Sequence, residues 1–395
     1  MKTVYLSLLI FLLISCQSPS SETKEITNQT TQTMNEEIYL FVGTYTRQEP
    51  HVAGKAKGIY VYKMNQVTGA LTYVSHIEHT INPSFLTIHP NKKHLYAVNE
   101  HGGDGEFDSG TVSAYAIDAT TKELTFLNRQ SAQGVAPCYI SITSSGKYAL
   151  VSNYVSGNIA ALPIQDNGNL SEASDIAQHE GKGTHSRQDA PHAHFVNWTP
   201  DNKLITVADL GVDKIMLHQL DETTGKFSTP QSSYVKIADE AGPRHITFHP
   251  NSNYAYCINE LNGTIEAFSY NNGQFKKLQT ISTLSDSSTS TGACADIHIT
   301  PNGKYLYGTN RDTDNDIVGY KIDASTGKLS LISHTSTKGK TPRNFTIDPT
   351  GKFLLVANQD TDTVVTFEID GATGQLKDTG LIAEIPTPVC LVFLE

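Results

Sequence analysis

Two distant stretches of the chain follow one pattern: GPRHITFHPNSNYAYCINE at residues 242–260 and TPRNFTIDPTGKFLLVANQ at residues 341–359. Each contains a Pro-Arg pair, an apolar run, a turn, and a second apolar run that ends in Asn. A sequence pattern that recurs at a fixed period is typical of repeat architectures. The same frame, anchored on Pro243 and Asn259, fits four further segments: 83–100, 137–154, 193–210 and 294–311.

Each copy continues into two further short strands. A third apolar run such as GTIEAFSY (263–270) is followed by a turn of the Thr-Gly type, as in ASTGKL (324–329), and then by a fourth run. Alternating β-branched and aromatic residues, broken by Asn, Gly, Asp and Pro, indicate antiparallel strands and hairpins. Four strands in a period near fifty residues are typical of one propeller blade.

The two ends of the chain supply a seventh blade. Residues 38–46, IYLFVGTYT, read as a second strand with no first strand before it. Residues 388–395, PVCLVFLE, read as a first strand with nothing after it. Joining them leaves no open sheet edge at the seam. We therefore predict an all-β, seven-bladed propeller of four-stranded antiparallel blades, closed by the C-terminal strand; an open β-sandwich would not explain why the chain ends on the missing strand.

The first residues indicate an export signal rather than a part of the folded domain. A short basic start and an apolar run lead into LISC (13–16), which resembles the lipobox of bacterial lipoproteins. We expect a signal peptide over 1–15, lipidation of Cys16, a Ser/Thr-rich tether over 16–36 and the propeller over 37–395. An ordinary secretory signal that happens to contain a Cys is the alternative. The expected location is the bacterial cell envelope, in the periplasm or on the cell surface, with membrane contact only through the anchor.

Charge and cysteine content exclude several functional classes. The net charge is −11 and there is no run of Lys and Arg, so we expect no nucleic-acid partner. The four cysteines beyond Cys16 lie in predicted strands without paired spacings, and small buried hydrophobes fit them better than a disulfide framework or a zinc site. They are Cys138, Cys257, Cys294 and Cys390.

The hairpin of strands one and two should gather three columns of residues around one mouth of the channel. The residues after the anchor are Ser84, Cys138, His194, Arg244, Ala295, Arg343 and Val389. The residues at the Asn position are Gly43, Asn99, Asn153, Asp209, Asn259, Asn310 and Asn358. The residues next to it are Thr44, Glu100, Tyr154, Leu210, Glu260, Arg311 and Gln359.

Arginine placement points to an anionic ligand. Five of the six arginines fall in these columns or in loops on the same face, and convergent guanidinium groups suit a carboxylate or phosphate. The Asn column is assigned to turn-forming caps that bond their own backbone, with Asp209 as the exception that could contact substrate. The five arginines are Arg47, Arg187, Arg244, Arg311 and Arg343.

A metal or other cofactor is not expected. The loop HEGKGTHSRQDAPHAH (179–194) contains four histidines, but no carboxylate or further His stands at reliable ligand spacing. The loop HGGDGEFDSG (101–110) lacks the spacing of a calcium loop and is predicted to be a solvated acidic loop. For His298, inside a first strand, a channel-wall role and a functional role are equally open.

With this frame in place, the motifs PHAHF (191–195), GPRH (242–245), INEL (258–261) and ADIHITPNGKYLY (295–307) carry a family resemblance. From about Ile38 to its end the chain resembles the lactonase family of seven-bladed propellers, which includes propeller-type 6-phosphogluconolactonases and carboxymuconate cyclases. The resemblance implies an enzyme that hydrolyses a sugar lactone at the channel mouth, and we expect it to be a monomer. A small anionic lactone or sugar acid is the implied substrate, although an exported protein would not meet a cytosolic sugar phosphate.

The resemblance also implies the site residues. The catalytic set is His194, Arg244, Glu260 and Arg343. Glu260 or His194 would take the proton of water, Arg244 would stabilise the oxyanion and Arg343 would hold an anionic substituent. An inert Arg244–Glu260 ion pair, a cycloisomerase acting on an unsaturated dicarboxylate and a non-catalytic binding propeller remain as alternatives. The expected substrate contacts are Glu100, Arg187, His192, Asp209, Arg311 and Gln359.

Overall fold

The computed structural model describes Met1 and residues 37–395, so the predicted signal peptide, Cys16 and the tether over 16–36 lie outside the described part. Residues 37–395 lie within one compact unit. Within the described residues, no helix has the length and apolarity needed to cross a membrane.

The described chain is built almost entirely of strands. The first nine are β1 (Glu37–Thr44), β2 (Gln48–Glu49), β3 (Val52–Ala53), β4 (Gly58–Asn65), β5 (Leu71–Glu78), β6 (Phe85–Ile88), β7 (His94–Asn99), β8 (Thr111–Ile117) and β9 (Leu124–Ser131). The next nine are β10 (Pro137–Ile142), β11 (Tyr148–Asn153), β12 (Asn158–Pro163), β13 (Asp175–Gln178), β14 (Ala193–Trp198), β15 (Ile205–Asp209), β16 (Lys214–Asp221), β17 (Lys226–Ser228) and β18 (Tyr234–Lys236).

The remaining strands complete the ring. They are β19 (Pro243–Phe248), β20 (Tyr254–Asn259), β21 (Thr264–Asn271), β22 (Gln274–Ser282), β23 (Cys294–Ile299), β24 (Tyr305–Asn310), β25 (Asp316–Ile322), β26 (Leu329–Ser336), β27 (Pro342–Ile347), β28 (Phe353–Asn358), β29 (Thr363–Ile369), β30 (Leu376–Glu384) and β31 (Pro388–Leu394). Two single 3-10 turns cover Leu210–Val212 and Gln359–Thr361.

The strands pair into seven blades, as the repeat predicts. Six blades use strands consecutive in sequence, and the first has the order β31-β1-β4-β5, so the last strand of the chain pairs with the first. The innermost strands β31, β6, β10, β14, β19, β23 and β27 contact one another in turn around the channel. The prediction of a seven-bladed propeller closed by its C-terminal strand is confirmed.

One blade departs from the four-strand pattern. Its outer strand is split, because β17 pairs with the end of β16 and β18 with its beginning. Pro230 lies between the two short strands, and proline has no backbone N–H to give to a sheet. A further small hairpin, β2-β3, follows β1, the second strand of the first blade, and reaches the channel mouth.

The hydrophobic core lies between the faces of neighbouring blades. One cluster combines Leu40, Tyr62 and Phe393 of the first blade with Phe353 and Leu355 of the last. Closure by β31 therefore buries apolar side chains as well as pairing backbone. The four described cysteines are all buried and free, as predicted.

Tyrosine hydroxyl groups tie the Thr-Gly turns to the preceding blade. The hydroxyl of Tyr256 donates to the carbonyl of Gly327 over 2.9 Å, and that of Tyr307 donates to Gly374 over 2.7 Å. Gly374 has φ of 75°, and a Cβ there would lie 2.4 Å from the ring of Tyr305. Glycine is thus required in this turn both for its left-handed conformation and for the close approach of the neighbouring ring.

Candidate active site

A repeated backbone bend positions the mouth residues. The residue before the anchor position has a positive φ in six blades, and its carbonyl accepts a hydrogen bond from the N–H of the residue after the Asn position. Gly242, for example, accepts from Glu260 over 2.7 Å, and Asn82 accepts from Glu100 over 3.0 Å. Left-handed conformations of residues other than glycine are strained, so the surrounding fold must hold them. The six bends are at Asn82, Ala136, Gly242, Ala293, Thr341 and Thr387.

In the first blade two of the three predicted columns, the Asn position and the position next to it, are wrong by one residue. Thr44, rather than Gly43, pairs with the anchor Pro388, because the register shifts between Gly43 and Thr44. The N–H that bonds to the bend at Thr387 belongs to Tyr45. A shift of one residue turns side chains to the opposite face of a strand, so Tyr45 joins the mouth column in place of Thr44.

The Asn column is structural, as predicted, but its bonds differ from those expected. Four of its side chains donate to a carbonyl of the connection that enters their own blade. Asn310 donates to Thr283 over 2.8 Å, and Asn153 donates to Ala132 over 2.8 Å. These four side chains therefore fasten their blade to the incoming connection, whereas Asp209 of the same column does cap its own turn, accepting from the N–H of Gly211 over 3.0 Å. The other two donors of this kind are Asn99 and Asn358.

One cavity of about 580 Å³ opens at this mouth, and we call it the mouth pocket. It brings together all four predicted catalytic residues and three of the six predicted substrate contacts. Residues that are far apart in sequence thus share one concave surface, the usual setting for a small-molecule site. Its lining comprises Glu49, Pro50, His51, Glu100, His101, Gly102, Val135, Ala136, Cys138, Tyr154, Val155, Arg187, His194, Arg244, Glu260, Arg311 and Arg343.

Three predicted substrate contacts do not line the mouth pocket. Asp209 is fully buried, accepts from the backbone N–H of His192 over 2.7 Å and bonds His179 over 2.6 Å. The His192 ring stacks on Tyr154, with centroids 4.6 Å apart. Gln359 is buried and donates to Asp360. For Asp209 and Gln359, position in a column was a poor guide, because their side chains meet protein partners before they reach the pocket.

Four of the six arginines line the pocket, not five. Arg47 pairs with Glu49 over 2.7 Å at the rim, and its side chain is not part of the lining. Arg129 lies elsewhere and pairs with Asp104 over 2.6 Å. Asp104 and Arg129 thus tie the acidic loop over 101–110 to strand β9.

Glu260 is held by three guanidinium groups. Its Oε1 lies 2.6 Å from Arg187 Nη1, and its Oε2 lies 3.0 Å from Arg311 Nη2 and 2.9 Å from Arg244 Nε. Burial alone would raise the pKa of this carboxyl, but the three arginines outweigh it and hold the pKa far below the usual range. Glu260 is therefore a fixed anion with both oxygens engaged.

Arg244 is the most enclosed of the four arginines. Its side chain is only 2% exposed, and Nη1 donates to the carbonyl of Ala295 over 2.7 Å. Its Nε is close to Glu260 without the alignment of a hydrogen bond. Burial, together with the charge of Arg311, lowers the pKa of Arg244 to about 10, so it remains a cation at neutral pH. Such a buried cation is suited to stabilise a developing negative charge.

His194 is a neutral base within the same pocket. It is 5% exposed, and Nδ1 is buried without a hydrogen-bond partner among the described residues. Burial and the neighbouring Arg244 lower its pKa well below the ordinary value, so the ring is unprotonated at neutral pH. A neutral imidazole can accept a proton from water.

A second polar group surrounds Arg343. Glu100 Oε2 accepts from the hydroxyls of Tyr45 over 2.8 Å and Ser84 over 2.6 Å. Arg343 lies 3.9 Å from Glu100 Oε1, and its guanidinium is 5.5 Å from the centre of the Tyr45 ring. His51, on the β2-β3 hairpin, contacts the Tyr45 hydroxyl over 3.2 Å.

Sequence reasoning missed Tyr45 and the β2-β3 hairpin. Moving the alignment of strand β1 by one residue would have placed Tyr45 in the mouth column. The hairpin has no counterpart in the other blades, so the repeat carried no signal for Glu49 or His51.

The histidine loop does not assemble a metal site. Across residues 37–395, no group of three His, Cys, Asp or Glu side chains could hold a metal ion. His179 bonds His218 over 3.1 Å as well as Asp209, in the interior. His298 bonds Asp296 over 2.9 Å in the channel wall.

Comparisons with known proteins agree with this architecture. A family model described as lactonase, 7-bladed beta-propeller, matches residues 39–393. The chain is 35% identical to a Bacillus subtilis 6-phosphogluconolactonase, over 90% of this chain and 97% of that protein. A Bacteroides fragilis crystal structure, 37% identical, superposes with a TM-score of 0.85 over 92% of this chain and 99% of that one.

A periplasmic gluconolactonase from Pseudomonas aeruginosa is similar at 29% identity, with a TM-score of 0.85 over 91% of this chain and 99% of that one. The predicted family and the predicted enzyme class, a lactonase, are both confirmed. The chain belongs to the lactonase family of seven-bladed β-propellers.

Proposed function

We propose that this enzyme hydrolyses a sugar aldonolactone, of the kind that 6-phosphogluconolactonases open, inside the mouth pocket. The observation that carries the proposal is the state of Arg343. Its side chain is 15% exposed and lines the pocket, yet its guanidinium donates no hydrogen bond to any described residue. A shielded cation with free donors is suited to a carboxylate, phosphate or polarised lactone oxygen.

The charge of the pocket supports an anionic or strongly polar substrate. Four arginines line it against the carboxylates of Glu260 and Glu100, since Glu49 is paired with Arg47. Two positive charges therefore remain uncompensated. They would attract an anion into a cavity of about 580 Å³, which has room for a six-carbon lactone with or without a phosphate.

The mechanism follows from the protonation states. A water oxygen attacks the lactone carbonyl carbon while the neutral His194 accepts the water proton. The carbonyl oxygen becomes an oxyanion facing the guanidinium of Arg244, with Arg311 beside it. Collapse of the tetrahedral intermediate breaks the ring C–O bond, and protonated His194 returns the proton to the departing oxygen. The product is the open-chain aldonic acid.

Glu260 serves as an anchor in this scheme rather than as the base. Both of its oxygens are engaged by arginines and its pKa is strongly depressed, so it is a poor acceptor for a proton. Its role is to hold Arg187, Arg244 and Arg311 together against their mutual repulsion. Of the two bases that the resemblance allows, the geometry favours His194.

The test is a turnover screen of purified protein against glucono-δ-lactone, other aldonolactones and their 6-phosphates, with and without a chelator. We expect hydrolysis, unaffected by the chelator, that Arg244→Met lowers about 100-fold or more in kcat. Ring closure of an unsaturated dicarboxylate would identify a cycloisomerase instead. Saturable binding without turnover of any lactone would identify a binding propeller.

We also propose that the enzyme acts outside the cytoplasm as a monomer held by a lipid on Cys16. The support is the LISC motif after an apolar run. Fractionation of cells that express the full chain and a Cys16→Ala variant tests this, since only the former should be found in the membrane fraction. In that location an unphosphorylated lactone is the expected substrate.

A further inference from the structure

His245 lies directly behind Arg244, on the side away from the mouth pocket. Its side chain is 5% exposed, and its Nε2 lies 3.3 Å from Arg244 Nη1. The ring also makes an edge contact with His194, with centroids 5.2 Å apart. His245 thus contacts both residues to which the proposed mechanism gives chemical roles, without lining the mouth pocket itself.

Asp296, on the neighbouring inner strand β23, fixes the orientation of this ring. Its Oδ1 lies 2.7 Å from His245 Nδ1, and its Oδ2 is occupied by His298 and Asn344. The side chain of Asp296 is 4% exposed. Ionised Asp can only accept, so His245 Nδ1 must carry the hydrogen.

The tautomer determines what His245 offers to Arg244. In a neutral imidazole with hydrogen on Nδ1, the other nitrogen is an acceptor. Burial, together with the charge of Arg244, lowers the pKa of His245 to about 4, so the ring is neutral at working pH. Its Nε2 lone pair therefore faces a guanidinium N–H, which is the favourable pairing.

We infer that His245, held by Asp296, is a positioning residue that fixes the guanidinium of Arg244 in the orientation needed to meet the oxyanion. The inference rests on the proposed function, because it assigns to Arg244 the role of oxyanion donor. Arg244 is then fixed on three sides, by Ala295, Glu260 and His245.

Two substitutions of the same residue separate positioning from packing. In His245→Asn the amide can still donate to Asp296, but it does not extend to the Nε2 position. In His245→Gln the side chain reaches that position and its carbonyl can accept from Arg244. We expect His245→Asn to lower kcat about 10- to 100-fold with little change in KM, as removal of an orienting partner does elsewhere. His245→Gln should recover most of the loss.

Asp296→Asn tests the other half of the pair. An amide no longer dictates the tautomer of His245, so we expect a fall in kcat of the same order as that of His245→Asn. His249→Gln is the matched control, since His249 is also buried on this hairpin but bonds the carbonyl of Gly303. It should lower thermal stability and leave kcat unchanged.

A second measurement is independent of turnover. Relaxation of the ¹⁵N nucleus in the Arg244 Nε–H group should report a rigid guanidinium in the native protein and in His245→Gln, and a more mobile one in His245→Asn. Equal kcat in all variants, or equal losses in His245→Asn and His245→Gln, would overturn the inference. If the native protein opens no lactone, the proposed function fails, and the relaxation data alone decide whether His245 orders Arg244.

Discussion

Replacing Glu260 by Gln should destabilise the protein far more than the loss of one surface ion pair. The substitution keeps the shape of the side chain and removes its charge. Arg244 and Arg311, with side chains 2% and 15% exposed, would then face each other without their shared anion. Loss of one partner from a buried ion pair costs about 3–5 kcal/mol, and we expect a fall of that size in the free energy of unfolding.

The pH dependence gives this prediction a second signature. The pKa of Glu260 is depressed in the folded state, so its contribution to stability is fully present above the unfolded-state value of about 4.3. It is lost progressively as the pH falls from that value to below the depressed folded-state value. The stability difference between native protein and Glu260→Gln should therefore be constant from neutral pH to about 5 and should shrink in stronger acid.

Urea unfolding followed by tryptophan fluorescence at several pH values measures both effects. Glu106→Gln is the matched control, because Glu106 is 67% exposed and also pairs with an arginine, Arg129. Glu106→Gln should lower the free energy of unfolding by less than about 1 kcal/mol. If Glu260→Gln and Glu106→Gln were equally mild, or if the difference did not change in acid, the view of Glu260 as the anchor of the arginines would be wrong.

Three further predictions concern catalysis and closure. Because the pKa of His194 is lowered, the acid limb of the kcat/KM profile should lie below the ordinary histidine value of about 6.5, and a limb at or above that value would contradict His194 as the base. Tyr45→Phe removes a 2.8 Å bond to Glu100, so it should cost about 1–2 kcal/mol in unfolding free energy and weaken substrate binding; unchanged stability and KM would refute its place in the site. Deletion of residues 388–395 exposes the edge of β1 and should abolish the cooperative thermal transition, whereas a normal melting curve would contradict closure by β31.

The repeat made most of the fold predictable from the sequence. The anchor position, which is proline in four of the six segments, and the Asn position recur together, so the blade count, the strand order and the shared blade followed from spacing alone. The first blade was misaligned because its two halves come from opposite ends of the chain and include a register shift that no spacing reveals.

Side-chain partners were harder to predict than positions. Glu260 and Asp209 occupy adjacent columns in the sequence pattern, yet one meets three arginines and the other a buried histidine. The partner that each carboxylate contacts depends partly on the loops between blades, and the sequences of those loops do not repeat. The protonation state of His194 likewise depends on neighbours from other blades, and the sequence alone does not show which residues those are.

The pairing of β31 with β1 also constrains how the molecule can form and come apart. The blade that contains β1 lacks its inner strand until β31 has been synthesised, so the inner edge of β1 is unprotected while the strands in between are made. Once β31 has paired with β1, the ring has no terminal blade from which unfolding could proceed one blade at a time, in contrast to linear repeat arrays. Unfolding should then begin with separation of β31 from β1, and the rate of that step should set the rate of unfolding.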